Sequence, residues 1–339
     1  MKKLLVCAAM LIAATGTALA QDAPKVKVQL GWIGNVQYGE QYIALEDGLF
    51  KKHGIDVTIS AGGPNAPSAL TSVAAGDADI GYTGWLPFLD AVAKGNDYVL
   101  IAAQMQTSPL GIISLKDKPI LKPEDIVGAK ILAQGPNEKT AIEATLSLAG
   151  LPKDKWTQVP AGFSPEPLLS KAGDGYTGFG TNQAITLEQM GMVRDKDFFF
   201  KSFDDLGFKG YAGIAFTSRK YLNEHRDRVV AYLEGVIEAW QKNEKDFSYA
   251  PKLIVQKYGA DYGLDIKQQT RQNEVQAPYY RPGGDPNYPI YSIKLDYIAG
   301  PMMDAARATG RTNLPDASKI AAPDVALEAL ANIKKKSGN

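Results

Sequence analysis

The residues that could do chemistry in this chain are rings and amides rather than acid–base pairs. Trp32 and Asn35 follow the alternating run Val26, Val28, Leu30, with Tyr38 close behind. Similar groups recur: Asn65 after Gly62 and Gly63, Thr83, Gly84 and Trp85 after Ile80, and Gln104 and Gln106 after an apolar run. Farther on come Gln134 and Asn137, then Phe163, then Phe179, Thr181 and Asn182. Rings stack on flat ligands, and amides both donate and accept hydrogen bonds. Such a set suits non-covalent capture of a small polar aromatic molecule. Each residue also has a plain structural use as turn asparagine, helix cap or packing ring, so only convergence in one place makes a site.

Acid–base and metal chemistry find little support. The two histidines lie in Lys51-Lys52-His53-Gly54, read as an exposed helix end, and Asn223-Glu224-His225-Arg226, read as a solvated helix face. They form no HExxH-type spacing, so no metal is expected. No GxSxG elbow or phosphate-binding GxxxxGK[ST] loop occurs. Asp77 and Asp79 would point the same way along a strand with no base beside them. No catalytic residue and no cofactor is therefore expected, and the chain is read as a binding protein rather than an enzyme.

The elements that must position these residues follow from hydrophobic period. Residues 25–60 form a strand–helix–strand unit: the alternation of Val26, Val28 and Leu30, a turn at Gly34-Asn35, a helix through Tyr42, Ile43 and Leu45 ending at Gly48, and a strand over 55–59. Helices are expected at 68–75 and 86–94 and strands near 80 and over 98–104, the last apolar throughout as a strand covered on both faces should be. This order is the grammar of a parallel sheet covered by helices. A second unit has strands at 111–115, 129–133, 157–160, 176–183 and 198–203, with helices at 139–149, 165–171 and 184–190. The chain returns in a strand over 211–216. A long helix then places Val229, Val230, Leu233, Val236, Ile237 and Trp240 on one face, and a last amphipathic helix is expected near 295–308.

Residues 1–20 have the make-up of a cleavable signal peptide: Lys2 and Lys3, an apolar stretch too short to span a bilayer, and Ala18-Leu19-Ala20. Cys7 lies within it, so the exported chain would carry no cysteine and no lipid anchor. Losing Lys2 and Lys3 takes 37 basic residues to 35 against 37 acidic ones, a net charge of about −2 with no basic face for nucleic acid. The run Lys334-Lys335-Lys336 is read as a solvated tail. The remaining length exceeds one ordinary core. Two α/β lobes are expected: 21–109 with 211–339, and an inserted 110–210. Two crossings near Leu110 and Gly210 would make a two-strand hinge. By the strand-end rule the ring-and-amide loops then converge on the cleft between lobes.

Trp32-x-x-Asn35, followed by Tyr42, Ala44, Gly48, Phe50, Gly54, Ile55 and Val57, resembles a W-x-P-N…A-x-x-x-G-x-F-x-x-x-G-[IL]-x-V signature. That signature belongs to solute-binding proteins of ABC importers in the nitrate, sulfonate, taurine and thiamine-pyrimidine-precursor group. Ala75-Gly76-Asp77-Ala78-Asp79-Ile80-Gly81 resembles a second segment of the same group. The resemblance implies a type II periplasmic-binding-protein fold. It also implies a monomer in the periplasm that closes on a small-molecule ligand and docks on a permease with its ATPase subunits. Two departures stand out. Gly34 replaces the proline of the pattern. Tyr38 stands where the thiamine-precursor branch often has histidine, which argues against the pyrimidine-making chemistry of a related enzyme branch. Glu138 and Pro136 at the start of a predicted helix disfavour an anion, so the expected ligand is a neutral pyrimidine- or flavin-like heterocycle. The alternatives are a sulfonate, taurine or nitrate, or an exported pyrimidine-synthesising enzyme on the same scaffold.

Overall fold

The computed structural model describes residues 23–63, 65–336 and 338. The expected signal peptide, residues 1–20, lies outside them. Among the described residues ten strands form two five-stranded sheets. Strands β1 (Lys25–Gln29), β2 (Asp56–Ser60), β3 (Ile80–Thr83) and β4 (Tyr98–Met105) belong to the first. Strands β5 (Leu110–Leu115), β6 (Lys130–Ala133), β7 (Thr157–Pro160), β8 (Gly175–Phe179) and β9 (Phe198–Ser202) make the second. Strand β10 (Ala212–Ser218) returns to the first sheet.

The alternation read from the sequence sets the first pairing. Val26 lies opposite Val57 and Val28 opposite Ile59 in parallel register, which turns the valines of β1 into the core. The sheet is not wholly parallel, however. Its order is β2-β1-β3-β10-β4, and β10 runs antiparallel to both β3 and β4. The expected parallel grammar holds for β1, β2 and β3, and the returning strand breaks it. The second sheet repeats the pattern in the order β7-β6-β8-β5-β9, with β6 parallel to β7 and β8 and β5 antiparallel to β8 and β9. Each sheet thus has one antiparallel strand in its fourth place. The chain passes between sheets twice, from β4 to β5 and from β9 to β10. Every residue of β4 is buried.

Helices cover the sheets: α1 (Gly39–Glu46), α2 (Leu49–Lys52), α3 (Ala69–Ala75), α4 (Trp85–Ala93), α5 (Pro136–Leu148), α6 (Glu166–Leu169), α7 (Gln183–Gln189), α8 (Arg219–Glu224) and α9 (Arg226–Asn243). Helix α9 buries Val229, Val230, Leu233, Val236, Ile237 and Trp240, as its period predicts. A short helix α10 (Tyr249–Leu253) runs into a π-helical turn, Ile254–Tyr258, ahead of α11 (Ile266–Tyr280).

Three expectations fail near the C-terminus and at α2. The helix expected last is followed by two more, Ala317–Ile320 and Pro323–Lys336. Lys334, Lys335 and Lys336 form the last turn of the latter rather than a tail, and Lys336 Nζ lies 2.6 Å from the Glu234 carboxylate on α9. His53 is no exposed helix end. Its ring is 1% exposed, with Nδ1 2.5 Å from Glu234 and Nε2 3.3 Å from Glu238. Among the described residues no helix is long and apolar enough to cross a membrane.

Candidate binding site

At the carboxyl ends of β1, β2 and β3 the loops are stitched together through backbone. The Gly62 N–H donates to the Trp32 carbonyl at 2.8 Å, and a Cβ on Gly62 would lie 2.5 Å from the Leu30 carbonyl oxygen. A Cβ on Gly31 would lie 2.8 Å from the Tyr82 carbonyl oxygen of β3. Only glycine lets three chains approach this closely. The Gln104 amide at the end of β4 donates to the Gln37 carbonyl at 2.6 Å, which ties the fourth loop to the first.

The second sheet gathers its loops around one phenol. Tyr176 on β8 donates to the carbonyls of Gly162 and Phe163 after β7, at 2.8 and 2.9 Å. Gln134 after β6 donates to the Tyr176 hydroxyl at 3.0 Å and to the Thr177 carbonyl at 3.1 Å. Burial pushes the Tyr176 phenol up to about 12; the Gln134 amide acts the other way and the Glu138 carboxylate adds to the rise. Glu138 therefore sits close to this corner. Its Oε2 would be 3.4 Å from a Cβ on Gly135, which places negative charge over the first turn of α5. An anion at that helix start would meet a carboxylate.

Three rings face outward from these corners. Among the described tryptophans and phenylalanines only Trp32 (41%), Phe163 (61%) and Phe179 (38%) are exposed. Each closely follows a strand end or forms one: β1, β7 and β8 respectively. Asn65, Gly84 and Asn137 are exposed as well, and Thr83, Gln134 and Asn182 are half-buried.

Four of the expected ligand contacts have side chains that pack inward in this structure. Asn35 is buried, and its Oδ1 accepts from the Gln37 N–H at 3.0 Å, capping a 3-10 turn. Tyr38 lies in the core with its ring edge-on to Tyr82 at 5.8 Å, and burial raises its pKa. Trp85 stacks on Phe88 and donates to the Met302 carbonyl at 3.2 Å. Gln104 is fully buried, bonding Gln37 and Glu40. Rings and amides packed into a core have the same sequence signature as rings and amides at a ligand, so the sequence could not separate them.

Beneath the first corner lies a buried polar network that the sequence reading missed. Glu40 on α1 is wholly buried. It accepts from the Tyr291 hydroxyl at 2.6 Å, Gln104 at 2.8 Å and the Tyr280 hydroxyl at 3.2 Å. Burial raises its pKa, only partly offset by those donors, because no cation accompanies the carboxyl. On α11 the amides Gln269, Gln272, Asn273 and Gln276 are all buried. Their spacing of three, four and seven was visible in the sequence as one helix face, but amides on one face ordinarily mark the solvent side.

The family model described as NMT1/THI5 like matches residues 35–246, more than half the chain. The chain belongs to the NMT1/THI5-like family. Two curated relatives match part of the chain. A 4-amino-5-hydroxymethyl-2-methylpyrimidine phosphate synthase of Legionella pneumophila is 26% identical over 175 residues, covering 51% of this chain and 55% of that protein. One of Uromyces fabae is 24% identical over 222 residues, covering 62% and 64%. The chain thus matches between about half and two-thirds of their lengths. Both carry the name of an enzyme, which overturns the expectation that the chain is not one. Among solved structures, the periplasmic sulfonate-binding protein SsuA of Methylobacillus flagellatus superposes with TM-score 0.67 at 18% identity, over 93% of this chain and 96% of that one. At such identity the likeness shows the fold, which is that of the periplasmic binding proteins, as the sequence resemblance implied.

Proposed function

We propose that this family member captures a small, neutral aromatic heterocycle, pyrimidine- or flavin-like, between the strand-end loops of its two sheets. As the periplasmic solute-binding component of an ABC importer, it would hand that ligand to a permease driven by ATPase subunits. One observation carries the reading: the only exposed tryptophan and phenylalanine rings among the described residues, Trp32, Phe163 and Phe179, stand at strand ends of both sheets. The proposed site adds the amides and backbone of Asn65, Thr83, Gly84, Gln134, Asn137 and Asn182, all exposed or half-buried. Stacking on aromatic faces contributes about 1–3 kcal/mol per ring in nucleobase complexes. Two rings and a few net hydrogen bonds reach about −8 kcal/mol, micromolar affinity.

The lobes in this account are 21–109 with 211–339, and 110–210, hinged where β4 leads to β5 and β9 to β10. Closing on the ligand shifts an open–closed equilibrium and presents the monomer to its permease. A second reading, a sulfonate or another anion, draws on the sulfonate-binding neighbour and on the start of α4, where Gly84 leaves the first N–H groups without a side-chain cap. A third, pyrimidine synthesis, draws on the names of the two relatives. Thermal-shift titration with 4-amino-5-hydroxymethyl-2-methylpyrimidine, riboflavin, taurine and nitrate separates the first two. Stabilisation by taurine or nitrate alone refutes the heterocycle. A single-turnover assay for released pyrimidine tests the third.

A further inference from the structure

The backbone of the loop that carries Trp32 is held by buried side-chain amides. Immediately after Asn35, both backbone groups of Val36 are taken by α11. The Val36 N–H donates to Gln269 Oε1 at 2.9 Å, and its carbonyl accepts from Gln276 Nε2 at 3.0 Å. Gln269 and Gln276 are seven residues apart, two turns of one helix face, and are 2% and 0% exposed. The next carbonyl, Gln37, accepts from Gln104 Nε2.

These amides are themselves positioned. Gln276 Nε2 also donates to Asn273 Oδ1 at 2.9 Å, and Asn273 exchanges two bonds with Asn243 of α9 at 2.9 and 2.8 Å. A chain of amides therefore runs from the long core helix through α11 to the loop. On the other side of the loop, a Cβ on Gly34 would lie 2.8 Å from the Tyr42 hydroxyl and 3.1 Å from the Tyr258 carbonyl oxygen. A Cβ on Gly259, just past the π-helical turn, would lie 2.5 Å from the Gly34 carbonyl oxygen. This packing accounts for glycine at position 34, where the family pattern has proline.

Of the five buried side-chain polar atoms without a partner among the described residues, two are Gln104 Oε1 and Gln276 Oε1. Each is the far end of an amide whose nitrogen holds a carbonyl of this loop. Leaving a buried acceptor unpaired is unfavourable and calls for a compensating role. We infer that Gln104, Gln269 and Gln276 are positioning residues that fix the backbone of the Trp32 loop and so set ligand affinity without touching the ligand. The inference rests on the proposed site at Trp32.

The test uses the mature protein with Trp156→Phe, which leaves Trp32 as the only tryptophan outside the core, since Trp85 and Trp240 are buried. Gln269→Met and Gln276→Met keep the side-chain length and remove the bonds. Val325→Ala, a buried position in helix Pro323–Lys336, serves as a control for lost stability. Acrylamide quenching of the ligand-free protein reads the loop directly, and calorimetry with 4-amino-5-hydroxymethyl-2-methylpyrimidine reads the site. Each Met variant is expected to raise the Trp32 quenching constant and weaken the probe about fivefold, the effect of one net hydrogen bond. Gln269→Glu keeps an acceptor for the Val36 N–H but loses the Nε2 donor to Gln268 Oε1 at 2.6 Å, so it is expected to lower quenching below the Met variant without reaching the parent value. Val325→Ala is expected to change neither readout. If a Met variant does not fold, Gly259→Ala perturbs the same loop sterically and is expected to act alike. Unchanged quenching in the folded variants overturns the inference. Changed quenching with no probe bound even by the parent leaves the loop clamp standing and sinks the proposed ligand instead.

Discussion

Replacing Trp32 by alanine separates a ligand contact from a core residue. A tryptophan buried in a core costs about 3–5 kcal/mol when truncated. Trp32 is 41% exposed and belongs to neither packed cluster of the first sheet. Its backbone carbonyl, not its ring, makes the bond to Gly62, so the loop keeps that tie in the variant. The stability loss expected is about 1 kcal/mol, or a melting shift of at most roughly 2–4 °C, the range for chains of 150–250 residues. The affinity loss is larger, because a stacked ring contributes about 1–3 kcal/mol, equivalent to roughly a 5- to 150-fold rise in Kd. Differential scanning calorimetry of the empty protein and titration with 4-amino-5-hydroxymethyl-2-methylpyrimidine read the two quantities separately. A melting drop above about 10 °C shows that the ring is structural. An unchanged Kd shows that it does not stack on the ligand.

Trp85→Ala gives the contrasting result: loss of the Phe88 stack and the Met302 bond destabilises by about 3–5 kcal/mol, measured by urea unfolding. Glu40→Gln tests the buried carboxyl. Because burial raises its folded-state pKa above the unfolded value, its contribution to stability is complete below the ordinary carboxylate range and is lost as pH rises through the folded value. The parent's melting temperature should therefore fall relative to the variant's as pH rises above the ordinary carboxylate range, and parallel curves would show that Glu40 does not titrate in the folded protein. Glu188→Gln removes the 3.0 Å pair between α7 and Arg271 of α11, a bridge between the two proposed lobes. An exposed pair contributes about 0–1 kcal/mol, so affinity should weaken less than about fivefold while the empty protein's radius of gyration in X-ray scattering increases.

Strand positions were readable because burial on one face leaves an alternation, as in Val26 and Val28, and burial on both leaves a continuous apolar run, as in β4. Strand direction was not, since β10 has the same local composition whether it runs parallel or antiparallel to β3. The helix Pro323–Lys336 escaped notice behind its lysines, whose partner Glu234 lies far back along the chain. The same distance hid the burial of His53. At the site, exposed rings and core rings share one signature: Trp32 and Trp85 both follow strands, and only packing turns one outward and the other in. Glycines were the better guide, because Gly31 and Gly62 mark where the loops converge, and Gly34 marks the loop's close packing.

The two sets of strand-end loops are proposed to hold one neutral aromatic heterocycle. Native mass spectrometry of the protein as purified, followed by calorimetric titration of the stripped protein with 4-amino-5-hydroxymethyl-2-methylpyrimidine and with taurine, tests it most directly. The account predicts a retained or rebound pyrimidine-class ligand at one per chain with micromolar or tighter Kd and no heat with taurine. Stoichiometric taurine binding with no response to the pyrimidine would contradict it.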